Sequence, residues 1–299
     1  MTETAQQIVL DLVKAELNQF RPAQIEKVLQ LLEEGNTVPF IARYRKEVTG
    51  SLDEVEIRQI EERHQYATNL HKRKEEVIRI IEEQGKLTPK LKADIERAEK
   101  MQRVEDLYRP YKQKRRTKAA IAREKGLAPF AEWLMSGPMN GSVEEKAKEF
   151  LNQENEEMEL STIEDVLAGA HEIIAEIVSD EPAYREHIRE FTRKNGQVVS
   201  TVKDAESDEK GVFEMYYDFS QGVATAVPHR ILAMNRGEKT GILKVAIAVD
   251  EEKIFAYLSK KVLKNPNSIA APYVKAANED SYRRFIGPAI ERELRNELT

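Results

Sequence analysis

The residues with the most obvious chemical reach lie between Arg103 and Lys125. Arg103, Arg109, Lys112, Lys114, Arg115, Arg116, Lys118, Arg123 and Lys125 are set against only Glu105, Asp106 and Glu124. Tyr108 and Tyr111 stand beside the densest run. Phosphates attract Lys and Arg through charge and counterion release, and Arg adds forked hydrogen bonds. Tyrosines stack on unpaired bases, worth about 1–3 kcal/mol each. Pro110 before the run and Thr117 within it favour a loop over Lys112 to Lys118. Such a segment suits weak, sequence-independent contact with RNA or DNA. The same charges serve equally well as solvated surface, or as partners for acidic helices elsewhere in the chain.

A second cluster is Arg43, Arg45 and Lys46 with Tyr44. On a helix Arg43 and Lys46 would share a face. That face could meet a phosphate backbone or bridge domains through ion pairs. A pair of short amphipathic helices over 5–34 fits a helix-turn-helix or an ordinary αα-hairpin. Its second helix would turn Gln24, Lys27 and Gln30 outward together with Glu26, Glu33 and Glu34. Those carboxylates would repel phosphate, so the pair reads first as core packing.

Reactive groups form no constellation. The histidines are His64, His71, His171, His187 and His229; none sits in an HExxH pattern, and the chain has no cysteine to assist. There is no G-x-S-x-G nucleophile elbow. The run Gly237-Glu-Lys-Thr-Gly fails as a phosphate loop because Glu238 precedes Lys239 and the upstream Gly is missing. Arg236-Gly237 reads better as a helix stop. Trp133, beside Phe130 and Leu134, reads as core. Neither catalysis nor a cofactor is expected.

The elements that would position these residues are mostly helical. Val9, Val13 and Leu17, widened by Ile8 and Leu12, predict a first helix over roughly 5–19. Pro22 opens a second, and Gly35 ends it. Pro39 opens the short segment carrying Arg43. Ser51 with Glu54 suggests a capping box, followed by one long charged helix to Glu83. Further helices start at Pro89, Thr117, Pro129, Ser142, Ser161 and Pro182. The pattern then changes. Val198 to Val202 is β-branched, and Leu243, Val245, Ile247 and Val249 alternate with Lys244, Ala246 and Ala248. Ile254 to Leu258 is expected to pair with them. Residues 269–299 return to helical spacing. The ending, Glu-Arg-Glu-Leu-Arg-Asn-Glu-Leu-Thr299, carries no C-cap and reads as a cut.

The chain of 299 residues is long enough for one large domain or two smaller ones. Charged residues make up 33% and the formal net charge is −6, which argues against a uniformly basic surface. A local basic face survives that balance, because fields act over about 8 Å at physiological salt. Lack of cysteine excludes disulfides and thiolate metal sites and suits a reducing cytoplasm. No stretch approaches the apolar length of a membrane span.

Three segments carry a family resemblance. They are Val104-Glu-Asp-Leu-Tyr-Arg-Pro-Tyr-Lys-Gln-Lys-Arg-Arg-Thr-Lys-Ala-Ala-Ile-Ala-Arg-Glu-Lys-Gly-Leu127, Val38-Pro-Phe-Ile-Ala-Arg-Tyr-Arg-Lys-Glu-Val-Thr-Gly50, and Pro228-His-Arg-Ile-Leu-Ala-Met-Asn-Arg-Gly-Glu238. In order and wording the chain resembles the N-terminal part of the Tex family of bacterial transcription accessory proteins, similar in architecture to the eukaryotic elongation factor Spt6. One departure is at Pro228-His229, where many relatives would carry an intervening Ser. The resemblance implies a helix-turn-helix-like module inside a helical scaffold. It also implies a continuation into an RNase H-like YqgF domain, helix-hairpin-helix modules and an S1 RNA-binding domain, none of which falls within these residues.

The combined expectation is a mainly α fold with a small β patch near 198–258. It divides into a helix-turn-helix-like module over 1–136 and a helical scaffold over 137–299. The expected partners are RNA or DNA, bound weakly, or the transcription or translation machinery docked by a scaffold with no nucleic-acid contact of its own.

Overall fold

Apolar side chains recur at helical spacing through most of the chain, and the architecture follows from where those stripes find partners. The computed structural model describes residues 3–113, 116–152 and 160–299. It divides into two compact units, Met1–Tyr111 and Lys112–Thr299.

The first unit holds α1 (Glu3–Glu16), α2 (Pro22–Glu33), α3 (Val38–Tyr44), α4 (Lys46–Thr49), α5 (Glu54–Glu83), α6 (Pro89–Arg97) and α7 (Met101–Tyr108). The long α5 is its spine. One end of α5 buries Ile57, Ile60 and Ala67 against Val9, Val13, Ile25, Val28, Val38 and Ile41. The other end buries Leu70, Val77 and Ile81 against Ile95, Val104 and Leu107. These positions, spaced by three, four or seven residues along one face of α5, are the apolar minority of a very polar helix, so packing, not composition, fixes its register. Arg73 on α5 donates to Glu105 on α7 at 2.6 Å, which with Glu76 holds its guanidinium pKa above the ordinary value.

Two local expectations change here. The cap of α5 is Asp53, not Ser51: its carboxylate accepts from the Glu56 N–H at 2.9 Å, and Glu56 accepts from the Asp53 N–H at 2.8 Å. Ser51 instead stands at a positive φ of 67° in the turn after α4. Ile8 and Leu12 do not widen the buried stripe of α1; they face outward.

The second unit holds α8 (Lys118–Glu124), α9 (Ala128–Ser136), α10 (Val143–Lys148), α11 (Ile163–Asp180), α12 (Pro182–Asn195), α13 (Pro228–Lys239), α14 (Glu251–Val262), α15 (Ala271–Ser281) and α16 (Gly287–Glu297). Helix α11 is central, with Val166, Ala170, Ile173, Ile174 and Val178 buried among Leu127, Phe130, Leu134, Leu258, Val274 and Ile286. A π-helical turn over Tyr282–Ile286 joins α15 to α16, and the Gly287 N–H reaches the Tyr282 carbonyl. Pro288 explains it: proline offers no N–H and crowds the preceding turn, so the ladder widens there.

The small sheet is confined to this unit. Strands β1 (Gln197–Val202), β2 (Asp218–Gly222) and β3 (Leu243–Ala248) run antiparallel in the order β2-β1-β3, with Ser200 opposite Phe219 and Val245. The β2 strand was not expected, because Asp218-Phe-Ser-Gln-Gly lacks the β-branched signal. Ile254–Leu258 does not pair with β3. Asp250 caps α14, and Ile254, Phe255, Leu258 and Val262 repeat as one buried helical face. The cap of α11 is Thr162 with Asp165, not Ser161 with Glu164. Gly237 does not stop α13; it lies buried inside it, where the helix backs closely onto Leu243 and Phe213.

Candidate nucleic-acid interface

In the first unit the sequence Thr37-Val38-Pro39 starts α3, and Val38 and Ile41 anchor it to the core. The helix ends at Tyr44 because Arg45 leaves helical geometry, at φ −128° and ψ 26°. One turn of α4 follows. Thr49 is fully buried at its end, its hydroxyl donating to the Arg45 carbonyl at 3.2 Å. The Thr49 carbonyl in turn accepts from Gln24 Nε2 at 2.9 Å, which pins α4 to α2. Gly50 makes the turn possible: its φ is 70°, and a Cβ there would meet Gln24 Nε2 at 2.9 Å. The expected shared helical face of Arg43 and Lys46 therefore does not form, since the break at Arg45 separates them.

The result is still a cluster of exposed cations, with the Glu47 carboxylate next to them on α4. Arg43, Tyr44, Arg45 and Lys46 are all exposed, Tyr44 by 64%. The Arg45 guanidinium lies 5.4 Å from the Phe40 ring centroid, and Phe40 and Tyr44 lie 5.2 Å apart. Among the described residues none of Arg43, Arg45 and Lys46 enters an ion pair. Three cations without carboxylate partners, beside an exposed aromatic pair, are equipped to meet phosphate and an unpaired base.

The Arg103–Lys125 stretch is divided between the two units. Arg109 belongs to a 3-10 turn over Arg109–Tyr111 that closes the first. Tyr108 is buried against Leu107 and Val104, with the Arg73 guanidinium 5.2 Å from its ring. It is a core residue and cannot stack on a base. Lys112 is exposed at the start of the second unit. Lys114 and Arg115 lie outside the described residues.

Three cations of the described remainder of the run pair with carboxylates. Arg116 pairs with Glu124 at 2.9 Å, Lys118 with Glu172 at 3.8 Å, and Arg123 with Glu176 at 2.6 Å. Thr117 caps α8 by accepting from the Ala120 N–H at 3.0 Å, while its hydroxyl donates to Glu176 at 3.1 Å. Exposure sorts these pairs. The Arg116 and Lys118 side chains are 71% and 77% exposed, so their pairs are worth about 0–1 kcal/mol. The Arg123 pair sits lower, against the mostly buried Glu176, and fastens α8 to α11.

The outward face of α2 is not free. Gln24 is committed to Thr49 and to the Arg21 N–H, Lys27 donates to Gln30, and Gln30 donates to Glu34. The histidines are dispersed: His171 lies 2.8 Å from Asp280, His187 stacks on Tyr257 at 3.7 Å, and His64 is half-buried. Among the described residues no group of three or more His, Asp or Glu side chains is placed to hold a metal ion. Among them also, no helix is long and apolar enough to cross a membrane.

Two family models match this chain. Tex-like protein N-terminal domain covers residues 7–82, and Tex central region-like covers residues 140–299, more than half of the chain. The chain belongs to the Tex family. It is 53% identical over 276 residues to the YdcI protein of Bacillus subtilis, covering 92% of this chain and 38% of that one. It is 40% identical over 224 residues to transcriptional accessory protein Tex of Neisseria gonorrhoeae, covering 75% of this chain and 29% of that one. It is 27% identical over 300 residues to human S1 RNA-binding domain-containing protein 1, covering 96% of this chain and 30% of that one. The chain thus spans between about three tenths and two fifths of the length of these relatives. The α3–α4 patch falls within the matched N-terminal domain.

What sequence reasoning missed were the acceptors Glu172 and Glu176. They stand some fifty residues beyond the cations they bind, and no spacing within the basic run points to them.

Proposed function

We propose that this chain is a non-catalytic scaffold of a Tex-like transcription accessory protein that touches RNA or DNA weakly through exposed basic side chains. The observation that carries this reading is the α3–α4 patch: Arg43, Arg45 and Lys46 without ion pairs, beside exposed Tyr44 and Phe40. Lys112, Arg116, Lys118 and, by sequence, Lys114 and Arg115 form a second, weaker contact surface. Arg109 and Arg123 belong to the same basic run, with Arg123 chiefly structural. The names of its relatives, one a transcriptional accessory protein and one an S1 RNA-binding domain protein, support this class of partner. The α1–α2 pair, expected as a helix-turn-helix-like module, is read here as core packing. Its residue composition and the lack of cysteine fit a cytoplasmic setting.

Fluorescence anisotropy with labelled single-stranded RNA and duplex DNA tests the reading. Binding is expected at low salt, falling as salt rises, with a log–log slope of about −0.7 per phosphate contact on a single strand. Replacing Arg43, Arg45 and Lys46 by Glu should weaken it at least ten-fold and flatten the slope. Replacing Lys114, Arg115 and Arg116 by Glu should give a smaller loss. No binding at low salt overturns the reading. A second reading would then stand, a scaffold that docks on RNA polymerase or the ribosome, favoured by the exposed apolar surface of Phe40, Tyr44 and Val48.

A further inference from the structure

A groove of about 620 Å³ runs between α1, α2 and α5 in the first unit. Its apolar floor is Leu10, Leu29 and Leu32, three half-buried leucines that border the core without being absorbed by it. The reason lies in the spacing. The inner face of α2 is filled by Ile25, Val28 and Leu31, so Leu29 and Leu32 fall on its flank. The same holds on α1, where Val9 and Val13 take the core and Leu10 turns aside. Both helices lean on α5, and the cleft between their flanks stays open. The volume lies within the range of about 300–1,000 Å³ typical of functional pockets.

The rim is acidic. Glu33 and Glu61 line the groove and form no ion pair among the described residues, while Glu26 is already bridged to Lys14 at 2.5 Å. His64, also lining it, has its pKa lowered by burial, so near neutral pH it adds no cation. The Thr68 hydroxyl in the same wall is buried without a hydrogen-bond partner. An apolar floor with carboxylates at its edge matches an amphipathic helix whose leucine-type stripe is flanked by Lys or Arg. It mismatches nucleic acid, which the carboxylates repel.

We propose that the α1–α2–α5 groove is a docking site for a short basic amphipathic helix of a protein partner. The inference does not rest on the nucleic-acid reading, which uses a different and oppositely charged surface. Either can fail alone.

The test uses the whole chain and two fluorescein-labelled designed peptides of about 14 residues, about four helical turns. One is built from Leu and Lys; its twin replaces every Lys by Glu. The Leu/Lys peptide should bind at least ten-fold more tightly than the twin. Leucine methyl NMR shifts should concentrate on Leu10, Leu29 and Leu32. Leu29→Asp should weaken binding at least ten-fold, with circular dichroism reporting that the fold is kept. If that variant does not fold, Glu33→Lys with Glu61→Lys decides, and is expected to invert the preference between the peptides. A control reversal of exposed Glu96 and Glu99 should leave binding unchanged. Equal binding of both peptides, shifts elsewhere, or insensitivity to the groove variants would overturn the proposal. So would self-association abolished by Leu29→Asp, which would give the groove to a second copy of the chain.

Discussion

The most consequential single side chain outside the surfaces above is Glu293. It accepts from Arg185 at 3.2 Å and from Arg189 at 2.9 Å, tying α16 to α12. The Arg185 side chain is 1% exposed, so its charge depends on partners within the protein. Breaking a buried pair costs about 3–5 kcal/mol, the lower end applying here because Arg185 also donates to the Ser179 carbonyl. Glu293→Ala should therefore lower unfolding free energy by about 3 kcal/mol in a urea titration. A loss under about 1 kcal/mol would mean that water reaches Arg185. Gly237 poses the opposite question. Alanine in a helix interior should gain about 1 kcal/mol over glycine. Here its Cβ would meet Leu243 Cδ1 at 2.5 Å, Leu243 Cγ at 2.8 Å and Phe213 Cδ1 at 3.0 Å. Leu243 is itself buried and cannot step aside, and overpacking costs about 1–3 kcal/mol. Gly237→Ala is expected to destabilise, and a raised midpoint would show that the helix can slide away.

At the scale of elements, α5 offers the clearest tests. Its Asp53–Glu56 capping box satisfies backbone donors at the start of a thirty-residue helix. Asp53→Ala should cost about 1 kcal/mol, measurable by thermal or urea unfolding. Farther along α5, burial lowers the His64 pKa, while Glu33 partly opposes it. The unfolded chain therefore takes up this proton more readily than the folded one. The stability that neutral His64 contributes is complete above about pH 6.5 and is lost as pH falls below it. Wild-type protein should lose more urea stability between pH 7.5 and pH 5.5 than His64→Gln does. Equal losses would mean that His64 is as solvated in the fold as in the unfolded chain.

For the molecule as a whole, the hydrophobic clusters respect the division of the chain. The clusters of the first unit draw on residues from Val9 to Tyr111, and those of the second begin at Ala119. A unit with its own closed core can fold alone. Residues 1–111 expressed separately should keep a helical circular dichroism spectrum and unfold cooperatively in urea. A non-cooperative transition would show that the α5 spine needs the rest of the chain. The net charge of −6 also acquires a meaning at this scale. Acidic side chains line the α1–α2–α5 groove and neutralise α8, while the α3–α4 patch is left positive.

By itself the sequence determined the helical class, the long α5, the starts marked by Pro22, Pro39, Pro89, Pro129 and Pro182, and the two strands of evident β character, the central β1 and the outer β3. Proline and side-chain periodicity act within a few residues, so a linear reading captures them. It also located the cations that the α3–α4 patch presents. Only the tertiary structure decided which cations remain available. Arg116, Lys118 and Arg123 meet Glu124, Glu172 and Glu176, whereas Arg43, Arg45 and Lys46 meet no carboxylate among the described residues. It also decided that Ile254–Leu258 winds into α14, that Tyr108 is core, and that Gly237 lies within a helix pressed against a strand. The physical reason is common to all of these. Charge pairing and close packing depend on distances through space between residues far apart along the chain, and local spacing does not encode those distances.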